Sequence, residues 1–139
     1  MTALTVLRIA LFIWIAWHAV FGLLATFAPQ FGAQIVGWAP AGGWNGELLA
    51  MSKQYGMVML LLAAVYLVML LDPVRYVDFI WVAVIEQALG IAYGAYIYAM
   101  LGQLTELQLV AQLATNLALI AGMVVLWGRL RQGVPQAAT

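Results

Sequence analysis

The chain has 139 residues, of which 67% are hydrophobic and 7% charged, and its five basic and five acidic residues cancel to a net charge of zero. A soluble domain carries about 25% charged residues, so this chain is expected to be a membrane protein, and its balanced charge leaves no electrostatic footprint for nucleic acid. With no cysteine, disulfides, thiolate metal sites, iron–sulfur clusters and thiol catalysis drop out together.

A membrane-spanning helix needs about 20 mostly apolar residues, and four stretches supply them. The first covers residues 4–28 and stops at Pro29. Its apolar run is too long for a signal peptide, and Pro29 stands where cleavage would have to occur, so it is expected to be retained. The loop over residues 29–46, PQFGAQIVGWAPAGGWNG, holds Phe31, Trp38 and Trp44 with five glycines and two prolines. Tryptophan prefers the headgroup level, so Trp38 and Trp44 are expected to anchor this loop in the outer interface, with a short helix over residues 30–38. The second span covers residues 47–71, with Asn45 as N-cap and Asp72-Pro73 as its stop. After the turn DPVRY comes the third span, residues 77–101, closed by Gly102. The fourth, residues 106–127, opens on a capping box of Thr105 and Gln108 and is expected to end at Gly128, before a polar, frayed tail. Arg8, Arg75, Arg129 and Arg131 fall on one side of such a four-span chain, which makes that side cytoplasmic and places both termini there. The expected architecture is an all-α, antiparallel four-helix membrane bundle in one domain, residues 1–139.

In a bilayer the informative residues are the polar ones. Counted along each span at about 1.5 Å per residue, His18 falls about 3 Å outward of the midplane and Lys53 about 9 Å outward. Asn116 falls near the midplane, Gln112 about 6 Å outward and Glu86 about 4–5 Å toward the cytoplasm. His18, Lys53, Glu86, Gln112 and Asn116 are therefore expected to form an intramembrane polar cluster, since facing lipid costs several kcal/mol each. Gln108, Gln112 and Asn116 share one face of the fourth span. Gly90 and Gly94 form a GxxxG that lets another backbone come close, and Tyr93, Tyr96 and Tyr98 lie in the outer half of the third span.

Each feature also has a plain structural reading. The amide stripe serves as interhelical glue, GxxxG as helix packing, and the tyrosines as belt residues. Lys53 can snorkel outward along its stem. His18 can be a neutral imidazole hydrogen-bonded to another helix. Glu86 must be protonated or paired.

Little here supports catalysis. One histidine gives at most one haem ligand per chain. No metal-binding spacing of histidine and carboxylate occurs. Ser52, the only serine, is expected near the outer face without a histidine or acid beside it, so no serine–histidine–acid set is expected. No enzyme activity, metal or cofactor is expected.

The stretch LRIALFIWIAWHAVFGLLATFAP opens on an arginine and carries His-x-x-x-Gly late in its length. Together with the loop beginning PQFG and the start ELLAMSKQYGMVMLL of the second span, it resembles the DoxX-like group of small four-helix bacterial membrane proteins, and within it the BphX-type proteins. The resemblance covers nearly the whole chain in architecture. It implies a bacterial inner-membrane protein associated with oxidoreductase systems or aromatic catabolism, and it assigns no catalytic residue. The expectation is a non-catalytic accessory membrane protein in a homo-oligomer or larger complex, embedded in the lipid bilayer and open to a small hydrophobic ligand. The alternative is a small oligomeric transporter or proton-coupled carrier built on Glu86 and His18.

Overall fold

The computed structural model describes residues 2–40, 42–102 and 104–133. Among them the secondary structure is all helical. Four long helices dominate: α1 Ala3–Phe27, α3 Gly46–Leu71, α4 Ile80–Tyr96 and α5 Glu106–Gly133, with a short α2 at Pro29–Ile35. A 3₁₀ turn, Val77–Phe79, leads into α4, and a π-helical turn, Ile97–Leu101, follows it. Counting those flanking turns, four helical segments of 24 to 27 residues are long and apolar enough to cross a membrane. At about 1.5 Å per residue each exceeds the roughly 30 Å hydrocarbon core. Large apolar side chains stand outward at mid-helix, such as Phe12 (66% exposed), Leu61 (65%), Leu89 (65%) and Leu117 (57%). Water would drive such rows inward. Outward apolar rows of this kind suit helices that meet lipid, in keeping with four candidate membrane spans.

Local chemistry sets the helix ends. Asn45 accepts from the Leu48 amide at 2.8 Å and caps α3. The Thr105 backbone N–H donates to Gln108 Oε1 at 2.8 Å while the Gln108 N–H donates to Thr105 Oγ1 at 3.3 Å, a reciprocal capping box at the head of α5. Pro29 ends α1 and then serves as the first residue of α2, where its missing N–H costs nothing. The short helix closes earlier than residue 38. Gly37 takes φ +69°, its N–H donates to Gln34 O at 3.1 Å, and the Trp38 N–H donates to Ala33 O at 2.9 Å. This is a Schellman closure, and it swings Trp38 out of the helix.

The third span keeps its expected bounds, entering through a 3₁₀ turn at Val77 and leaving through a π turn closed by Gly102 at φ +60°. The end of the fourth needs correction. The fourth span does not end at Gly128, which stays helical, and α5 runs to Gly133. An interior glycine weakens a helix by only about 1 kcal/mol, and Arg131 in the last turn holds it through Asp78. The remainder of the tail, residues 134–139, lies outside the described residues.

The chain divides into two compact units, Thr5–Pro73 and Val74–Thr139 with Met1–Leu4. In the first, α1 and α3 cross at Gly22 and Gly56. A Cβ on Gly56 would lie 2.7 Å from Gly22 O and press on the Thr26 hydroxyl, so backbone meets backbone here. That hydroxyl is buried without a hydrogen-bond partner among the described residues, held against the glycine face where a Cα–H is the available neighbour. In the second unit α4 packs on α5, and the end of α5 returns to the 3₁₀ turn. There Trp127 Nε1 donates to Asp78 Oδ1 and Arg131 to Asp78 Oδ2, each at 2.9 Å. Arg131 also stacks over the Trp127 ring, and Trp127 meets Trp81 edge to face.

Candidate functional site

Within the first unit α2 turns back against α1 and α3 and leaves a cavity of about 370 Å³ between them. Its α1 wall is Trp17, Phe21, Leu24 and Ala25, at the i, i+4, i+7, i+8 spacing of one helix face. Pro29, Gly32 and Ala33 form the α2 wall. The Schellman turn delivers Trp38, and α3 adds Ser52, Tyr55 and Met59. The lining is almost wholly apolar and rich in rings. Trp17 and Phe21 lie 4.2 Å apart between centroids, and Trp38 is braced edge to face by Trp44 at 5.5 Å.

Ser52 is the polar side chain that the α3 wall adds alongside the Tyr55 phenol. Its hydroxyl donates to the main-chain carbonyl of Ala25 at 3.3 Å. A hydroxyl whose proton is engaged still offers two lone pairs as acceptors.

Deeper along α1, His18 is buried, with only 3% of its surface exposed. Its Nδ1 lies 2.8 Å from Trp14 O. A carbonyl only accepts, so Nδ1 carries the proton, and in the neutral ring Nε2 is the acceptor. This bond lies within α1. The ring of His18 contacts α3 through Tyr66, at 5.4 Å between centroids, and Trp14 closes an aromatic trio. Tyr66 is itself 1% exposed. Its signal in the sequence was a tyrosine deep in an apolar span, where the phenol must find a partner. Lys53 belongs to the same unit and is exposed.

Glu86, Gln112 and Asn116 belong to the other unit. Glu86 is half-buried on α4. Gln112 Nε2 donates to Gly90 O at 3.0 Å, and Asn116 Nδ2 to Gln87 O at 3.5 Å. These amides reach main-chain carbonyls of the neighbouring helix. Gly90 and Gly94 serve them directly: a Cβ at Gly90 would lie 3.0 Å from Asn116 Nδ2, and one at Gly94 2.7 Å from Gln112 Oε1. What approaches this GxxxG is a pair of side-chain amides rather than a second backbone. Among the described residues no group of three or more His, Asp or Glu could hold a metal ion.

Fold and composition together define the class: an all-helical chain with four candidate spans, as in a multi-pass membrane protein. Beyond that class, the chain matches no family model, no curated protein and no solved structure.

Proposed function

We propose that this chain is a non-catalytic accessory protein of a bacterial inner membrane, working within a homo-oligomer or a larger membrane assembly of the kind its DoxX-like and BphX-like resemblance implies. The observation that carries this reading is the use to which α5 puts its polar stripe. Gln112 and Asn116 each donate to an α4 carbonyl, a use as helix-to-helix glue that supports a structural role for this stripe over a solute path. With its arginines on the cytoplasmic side, the chain has both ends there.

Native mass spectrometry of the full chain released from mild detergent tests this. A heteromeric or homo-oligomeric mass is expected. A strictly monomeric mass across detergents and in lipid nanodiscs overturns it.

A carrier function is the second reading, favoured by the half-buried carboxyl of Glu86 within a candidate span and by the buried imidazole of His18. It requires Glu86→Gln to abolish uptake of a small hydrophobic solute while the protein still inserts. Unchanged uptake in that variant removes the reading.

A further inference from the structure

We propose that the cavity between α1, α2 and α3 is a binding site for a small, planar, ring-containing apolar molecule that carries one hydrogen-bond donor and arrives through the bilayer. The inference goes beyond the accessory role and does not depend on which partner the chain has.

Five observations converge on this ligand class. The volume, about 370 Å³, lies in the range of roughly 300–1,000 Å³ typical of small-molecule sites. One side of the space is closed by tight packing: a Cβ on Gly32 would lie 3.0 Å from Leu24 Cβ, so the glycine lets α2 sit directly against α1 and fixes that wall. The walls are flat. Trp17 and Phe21 on α1, Trp38 on the turn and Tyr55 on α3 present rings from three directions, and aromatic faces favour a stacked or edge-on ring over a flexible chain. The Ser52 hydroxyl gives its proton to Ala25 O and so faces a ligand as an acceptor, which selects a ligand that donates. The α1 wall runs from Trp17 to Ala25, about 12 Å along the axis, long enough for two fused rings. Between them these features select by ring shape and by one hydrogen bond.

The test uses the full chain in lipid nanodiscs, with tritiated 1-naphthol as probe and empty nanodiscs as the partition background. The expected result is saturable binding at one site per chain, competed by unlabelled 1-naphthol and not by 1-decanol, which carries the same donor on a chain without a ring. Naphthalene, with the ring and no donor, binds about 10-fold more weakly, the size of one hydrogen bond. Val36→Trp, a change at an exposed rim position, fills the cavity and removes the saturable component. Ser52→Ala weakens 1-naphthol about 10-fold and leaves naphthalene unchanged, so the hydrogen bond is read even where the filling variant folds poorly. Uptake that is linear in the parent, or equal in the parent and Val36→Trp, overturns the site. Equal competition by 1-decanol overturns the ring ligand and makes the cavity a slot for acyl chains. Either failure leaves the oligomeric mass, and with it the accessory reading, untouched.

Discussion

The Gln112 side chain on α5 donates to the carbonyl of Gly90 on α4 at 3.0 Å, and its amide fills the space that a Cβ on Gly94 would require. One residue supplies the hydrogen bond and another, a turn away, supplies the room for it. Gln112→Ala should cost about 0.5–1.5 kcal/mol, the usual range for a side-chain hydrogen bond between membrane helices. Gly94→Ala should cost at least as much by displacing the amide. The double variant should be less destabilised than the sum, because the clash and the bond share one side chain. Unfolding titrations in mixed micelles read all three. Strictly additive energies would show that the two positions act separately.

Gly56→Ala should be among the most damaging single-methyl additions in the chain. Its Cβ meets the Gly22 carbonyl and the Thr26 N–H, each at 2.7 Å. Backbone atoms cannot rotate away, so α1 and α3 must part, at a cost of about 1–3 kcal/mol. Gly122→Ala is the control: its Cβ meets nothing within 4 Å, and it should gain up to about 1 kcal/mol from helix propensity. A neutral Gly56→Ala would mean the crossing is looser than its contacts indicate.

The two side-chain caps should be worth similar amounts. Asn45→Ala and Thr105→Ala each remove an acceptor from a helix start, and each should cost about 1 kcal/mol. Amide hydrogen exchange locates the effect, with faster exchange in the first turn of α3 for one variant and of α5 for the other. Exchange that rises evenly along the helix would contradict a capping role.

Asp78→Ala should loosen the end of α5 specifically, since it deletes the acceptor of both Trp127 and Arg131. The ion pair is more than half exposed on both sides, so its share should be small and should fade with added salt. Asp78→Asn keeps an oxygen for the indole and should retain most protection over residues 128–133. If the Asn and Ala variants exchange alike, the charge and not the indole bond holds the final turns.

Much of the architecture could be read from the residues alone. Apolar runs of the right length, with few charges, specify membrane helices because no other water-free backbone arrangement of such a segment satisfies its own hydrogen bonds. Pro29, Asp72-Pro73, Asn45 and the Thr105–Gln108 pair fixed ends to within a residue, since caps and proline act over a few bonds. Gly128 misled for the complementary reason. A glycine only permits a helix to end, and here a contact with Asp78, 53 residues away from Arg131, carries the helix on.

The tertiary structure alone decided what the polar and small residues are for. Sequence spacing put Gln112 and Asn116 on one face and could not say whether that face met a solute or a carbonyl. It marked Gly90 and Gly94 as a place of close approach without naming what approaches. It gave no sign of the cavity, because the walls come from α1, α2, the Trp38 turn and α3, and the space exists only where the break at Ala28 and Pro29 folds α2 back on its neighbours. Helix formation is written in local chemistry, whereas a cavity is a relation among side chains far apart in sequence, fixed by how the helices pack.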